Sequence, residues 1–299
     1  MASTSTALDA ERLAAAEPSQ IIVTWRRFRR HRLALVGLVV LAILALSSFL
    51  APWIAPYDPA YQQLSRTFEG ASVQHLLGTD NLGRDILTRL MYAGRISMTI
   101  GIACTAISIT VGALVGAVAG FFGGWVDTIL MRIVDLMLSV PTFPLLLALS
   151  QMLSSILPSV TVIILVLSIF GWLGIARLVR GQILSLRGLD FVEATRALGS
   201  SNSRIIFRHM LPNSIAPITV AATLAVGDFI LSEAALSFLG YGVRLPTPTW
   251  GNMLADVNDF FLTHPLLAFY PGVALLLTVV SINFIGDALR DALDPRLKR

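Results

Sequence analysis

Apolar positions along the chain fall into long, nearly unbroken runs rather than an alternating or heptad pattern, and the runs have the dimensions of membrane helices. They lie at 33–54, 97–122, 129–157, 160–176, 215–239 and 266–285. Each approaches or exceeds the roughly 20 residues a helix needs to cross a hydrocarbon core about 30 Å thick. The pattern predicts an all-α membrane protein with six transmembrane helices. It lacks the alternating ten-residue segments of a barrel and any visible repeat of solenoid length. The third run carries Pro141 and Pro144, which should kink it. The second carries Gly112, Gly116 and Gly120 on one face. That spacing either lets two helices approach closely or reflects only how common glycine is in membrane helices.

The polar stretches between the runs are uneven. Residues 1–20 are rich in Ala, Ser and Thr without apolar period and read as a mobile tail. Residues 21–95 hold a basic segment, the first span and an external connection, in which 56–95 is too long for a turn and should pack as its own small element. The first span reads as an uncleaved anchor, because its apolar core is longer than that of a signal peptide. Residues 96–290 hold the remaining spans, and 291–299 form a terminal tail.

Composition agrees: 55% of the residues are apolar and 13% charged, so most of the surface cannot face water. Cys104 is the single cysteine, which excludes an internal disulfide framework and a multi-cysteine metal site. The net charge of +4 matters less than its placement. Arginines crowd 26–32, 177–208 and the tail, while the intervening loops on the other side hold few, so both termini and the 190–213 stretch should be cytoplasmic.

That stretch, DFVEATRALGSSNSRIIFRHMLPN, is charged and helix-forming between two apolar spans. Asp190 and Glu193 have the spacing of a capping box, and Phe191, Ala194, Thr195 and Leu198 would share a face. Gly199 suits the left-handed position past the helix end. Ser201, Asn202 and Ser203 can cap a second helix, which Pro212 should stop. A rigid helix–turn–helix in place of a simple link suggests a docking element.

Asp228 and Glu233 lie within the fifth span, where an isolated acid costs about 2.5–3.5 kcal/mol at the bilayer centre. They either line a translocation path or make structural hydrogen bonds, the plainer reading. Arg132 with Asp135, and Arg290 with Asp294, have the spacing of pairs within one helix. In the external stretch 75–95, Asp80, Arg84 and Asp85 could meet a delivered substrate or its carrier. Alternatively, with Arg89 and the turn glycines Gly78 and Gly83, they hold a packed lid. Of the four histidines none sits within a span beside a serine, and HExxH, GxSxG and P-loop patterns are missing, so an intramembrane protease is disfavoured. A secondary transporter would show coupling carboxylates and inverted repeats, neither of which is evident.

Glu193-Ala194, Gly199 and the run His209-Met210-Leu211-Pro212 together resemble the EAA loop of ABC-importer permeases, with Thr195 standing where the general pattern has Ala. HLLGTDNLGRDILTRLMYAGRIS (75–97), GGWVDTILMRIVDLMLSVP (123–141), SEAALSFLGYG (232–242), PTPTWGNML (246–254) and GDALRDALDPR (286–296) are similar to the second, "C" permease subunit of dipeptide and oligopeptide importers, a pattern that nickel and glutathione importers share. The resemblance implies the type I ABC importer transmembrane fold in a bacterial cytoplasmic membrane, with 96–290 as its type-1 domain. It implies that 191–198 is a coupling helix seated on an ATP-hydrolysing subunit. Phe191, Glu193, Ala194, Arg196, Leu198, Gly199, His209, Leu211 and Pro212 would carry the coupling. The implied partners are a second homologous permease subunit, two ABC ATPase subunits, an extracytoplasmic solute-binding protein and membrane lipid, with no nucleic acid. The implied function is ATP-driven import of dipeptides or oligopeptides by alternating access, or of a nickel chelate or glutathione on the same fold. The chain itself would be no enzyme and would hold no cofactor or metal.

Overall fold

The computed structural model describes residues 20–293; the tail expected at 1–20 falls almost wholly outside them, as does Asp294. In chain order the helices are α1 (Gln20–Phe28), α2 (Arg32–Phe49), α3 (Ile86–Phe122), α4 (Gly124–Ser139), α5 (Thr142–Leu153), α6 (Ser159–Arg187), α7 (Asp190–Ala197), α8 (Ile215–Phe238), α9 (Trp250–Asp256) and α10 (Leu266–Leu293). Five of them, α2, α3, α6, α8 and α10, are long and apolar enough to cross a membrane.

The glycine stripe of α3 decides how the bundle is built. A methyl on Gly112 would lie 2.8 Å from the Trp172 carbonyl, one on Gly120 2.9 Å from that of Arg180, and one on Gly116 would collide with that of Ala176. The stripe therefore lets two backbones touch, as its spacing allows. The partners rise in number together (112 with 172 and 175, 116 with 176 and 179, 120 with 180 and 183), so α3 and α6 run parallel. A parallel pair needs a connection that returns across the bilayer. Between α3 and α6 stand only α4 and α5, which break by 86° at Pro141. They supply the sixth crossing as one bent span. Pro141 was expected to kink a continuous helix; instead Val140 is extended (φ −81°, ψ 135°), because the residue before a proline is pushed out of the helical region.

The other helices alternate in direction. Gly101 of α3 meets Val226 and Ile230 of α8, while Ser97, a turn earlier, meets Glu233, a turn later. Gly286 of α10 faces Leu224 of α8, and Gly227 faces Ile282. In α2, Gly37 abuts Ser281, and His31 Nε2 lies 3.0 Å from Asp291 Oδ2. The start of α2 and the end of α10 thus share one end of the bundle with the ends of α3 and α6. The exposed Arg29, Arg30 and Arg32 lie there, with Arg177, Arg180 and Arg187 at the close of α6. It is called the basic end below.

Two helices outrun their apolar cores. α3 begins at Ile86 rather than at 97, because Asp85 caps it, accepting from the Thr88 N–H at 2.7 Å. α6 continues past 176 to Arg187. Its Arg180 binds Asp127 of α4 through two hydrogen bonds, and Arg177 Nη2 meets Asp135 at 2.5 Å. Asp135 therefore pairs between helices, not with Arg132 one turn away.

Candidate functional site

At the basic end, α7 is joined to α6 by two residues and carries one buried side chain, Val192. It fills a cluster with Phe121 of α3, Val179 and Ile183 of α6, and Ile205 and Met210 beyond α7. Everything else on α7 is turned outward or half-covered: Phe191 is 37% exposed and Leu198 86%, with Glu193, Ala194 and Arg196 also exposed. The expected shared face of Phe191, Ala194, Thr195 and Leu198 is thus the outer one, and Val192 is the anchor that sequence reasoning missed. A single valine beside the larger Phe191 gives no periodic signal of its own. The Arg196 guanidinium lies 5.8 Å from the centre of the Phe121 ring, tying the helix to the end of α3.

The caps differ in part from expectation. Leu189 holds the N-cap position without a side-chain bond, and Asp190 is the first helical residue, so the Asp190–Glu193 capping box is not formed. Both acids instead sit in the first turn, where they favour the positive end of the helix dipole. Gly199 does take the left-handed conformation (φ +76°). Its N–H donates to the Arg196 carbonyl at 2.9 Å and the Ser200 N–H to that of Thr195 at 3.3 Å, the paired closure of a Schellman turn. The Thr195 hydroxyl donates back to the Phe191 carbonyl at 2.6 Å, so this departure from Ala costs no unpaired group.

Ser201 caps the next helix, as foreseen, accepting from Arg204 N–H at 3.4 Å. Pro212 does not stop it. The segment Ile205–Met210 is wound as a π-helix, and the helical path passes through Leu211–Asn213 before turning at Ser214. The wider π-turn lies over the stretch that would otherwise meet the proline ring, a fault that an ordinary helix cannot accommodate. His209 is half-buried and its carbonyl accepts from Asn213 Nδ2 at 2.6 Å; Leu211 is half-buried and Pro212 exposed. Phe207, Arg204 and Arg208 face outward beside α7.

At the opposite end, Asp80 and Arg84 pair with each other, and Asp85 bonds elsewhere within the same stretch. Arg84 and Asp85 are each 4% exposed. Arg84 Nε donates to Asp80 at 2.6 Å, and Arg84 and Arg89 reach Asp256 of α9 at 3.3 and 3.1 Å. Asp85 also meets His75 Nδ1 at 3.0 Å. Gly78 and Gly83 both adopt positive φ, and a methyl on Gly83 would collide with the Gln63 carbonyl. These bonds pack the stretch onto itself and onto α9. Asp256, which joins it from far along the chain, carried no sequence signal.

The intramembrane acids separate. Glu233 is fully buried and accepts from Ser97 at 2.9 Å and Ser237 at 2.6 Å. Each serine in turn accepts a backbone N–H from the outer loop, Ser97 from Trp250 and Ser237 from Val243. Asp228 is exposed on α8; among the described residues its side chain makes no hydrogen bond or ion pair, and its backbone carbonyl accepts from the Ser232 hydroxyl at 2.8 Å.

Residues 112–299 match the family described as binding-protein-dependent transport system inner membrane components, and residues 19–71 match the N-terminal TM domain of oligopeptide transport permease C. The chain is 40% identical over 276 residues to the dipeptide transport system permease protein of Alkalihalophilus pseudofirmus, spanning 92% of this chain and 89% of that one. It is 38% identical over 273 residues to the oligopeptide transport system permease protein of Bacillus subtilis, spanning 91% and 88%. It is 40% identical over 276 residues to the glutathione transport system permease protein of Pectobacterium atrosepticum, spanning 92% and 90%. Among solved structures it resembles an inward-facing conformation of the MetNI methionine ABC transporter, with a TM-score of 0.52 at 19% identity over 67% of this chain and 94% of that one. That likeness is one of fold.

Proposed function

The chain belongs to the family of binding-protein-dependent transport system inner membrane components, and from that membership we propose that it forms half of the translocation path of an ATP-driven importer of short peptides. The other half is a second, similar permease, and two ATPase subunits drive the pair while an external binding protein supplies the solute. Relatives named for dipeptides, oligopeptides and glutathione, itself a peptide, all match over most of this chain, which supports peptides as the substrate class. The basic end faces the cytoplasm, following the arginine bias. The chain contributes no ATP site.

One observation carries the coupling role: α7 is anchored by Val192 on the joined ends of α3 and α6 while Phe191 and Leu198 project outward, with Asp190, Glu193 and Arg196 exposed beside them. An exposed apolar pair flanked by charges of both signs is suited to an apolar groove with a charged rim. Glu193, Ala194, Arg196 and Gly199 complete that surface. His209, Leu211 and Pro212 support it from the irregular helix behind. Asp80, Arg84 and Asp85 act as scaffold for the outer face, and Glu233 as a structural acid.

Gly199 provides the test. A side chain there would meet nothing within 4 Å, so a substitution strains only the backbone, by about 1–2 kcal/mol. In proteoliposomes holding the complete importer, Gly199→Val should insert and assemble normally yet lose most uptake and most binding-protein-stimulated ATP hydrolysis. Unchanged stimulation and uptake would remove the coupling role.

A further inference from the structure

Contacts account for most of the circumference of α8. Val226, Ile230 and Glu233 face α3; Phe229 faces α6 beside Gly171; Leu224 and Gly227 face α10. At 3.6 residues per turn the remaining arc holds Pro217, Ala221, Asp228, Ser232 and Ala235. It is a half-open face of small and polar residues with an exposed carboxylate at mid-span, bordered on one side by the exposed Leu231. Lipid is a poor occupant, because Asp228 has no ion pair or side-chain hydrogen bond among the described residues and its charge would lie in hydrocarbon. A dry helix interface is also poor, since it would bury that charge without a counter-ion from this chain.

The geometry points to this face of α8 as a water-filled part of the translocation path, in which Asp228 takes the cationic amino group of a passing peptide. The inference rests on the importer reading above and adds to it a binding residue and the substrate group that it holds. Dipeptides, oligopeptides and glutathione share a free ammonium, whatever their side chains, and one carboxylate of fixed position can attract it without selecting sequence. The small neighbours leave room for a chain of any residue type.

The test uses thiol chemistry on the assembled importer, with Cys104→Ser removing the single, buried cysteine. Ser232→Cys, one turn from Asp228, should react with membrane-impermeant methanethiosulfonates, and about fivefold faster with a cationic than with an anionic reagent. Asp228→Asn should bring that ratio close to one. Val39→Cys, on the open face of α2, should stay unreactive. Glycylglycine added with the binding protein should slow labelling, whereas N-acetyl-glycylglycine should not. If Ser232→Cys assembles poorly, Ala235→Cys on the same face serves. A position as silent as Val39→Cys, a charge ratio unmoved by Asp228→Asn, or equal protection by the acetylated dipeptide would each overturn the proposal. Labelling reads α8 directly, so it distinguishes failure here from failure of ATPase coupling at Gly199.

Discussion

The helices α2 and α8 leave the same share of their most apolar window open, with 17% buried in each, yet the open faces are made of different material. On α2 it is Leu33, Val36, Val39, Ile43 and Leu46, each 58–61% exposed, a smooth aliphatic stripe. On α8 it is Asp228 with the half-open Pro217, Ala221, Ser232 and Ala235, and the exposed Leu231 and Phe238 stand to one side of them. Hydropathy averages around the helix and passes both as membrane spans. What separates them is which solvent each face can tolerate, and only the packing tells which residues are left to face it.

Three substitutions probe the contrast. The largest effect belongs to Val39→Asp, which puts a charge on the aliphatic stripe and should cost about 2.5–3.5 kcal/mol of insertion free energy. Immunoblots of membrane fractions should show strongly reduced integrated protein; normal levels would mean that α2 faces water or protein. Next is Glu233→Ala on the closed side of α8, which strips the acceptor from Ser97 and Ser237 and should cost about 2 kcal/mol. A fall of several degrees in the detergent-solubilised melting temperature is expected, and faster amide exchange at Val243 and Trp250, whose N–H groups hang on those serines. The smallest is Asp228→Ala, five residues away but on the open side, which should move stability by no more than about 0.5 kcal/mol. A melting shift as large as that of Glu233→Ala would erase the distinction between the two acids.

Sequence alone exposed the all-helical membrane class, the apolar runs and the left-handed turn at Gly199, because each depends on neighbours within one or two turns; it left the glycine stripe of α3 open between close approach and mere frequency, which only its contact with α6 decides. It misjudged features whose cause lies elsewhere in the chain. The start of α3 is polar, with Thr88 and Arg89 inside the fold, because Asp256 comes to meet Arg89 from the far side of α8. Asp135 found Arg177 rather than Arg132 because α4 lies across α6, which the 86° break makes possible. In the 190–213 stretch, spacing marked the conspicuous Phe191 and Leu198 but not Val192, whose burial depends on the ends of two other helices. Asp228 and Glu233 looked alike as letters and differ only in what surrounds them.

The unbroken length of α3 has a mechanical consequence. At about 1.5 Å per residue, Ile86–Phe122 is a rod of roughly 55 Å, clamped along its inner half to the backbone of α6 and rooted at its outer end in the Asp80–Arg84–Arg89–Asp256 cluster. A tilt imposed on the end of α3 where α7 sits would, to the extent that the helix stays straight, move the cluster at its other end with it.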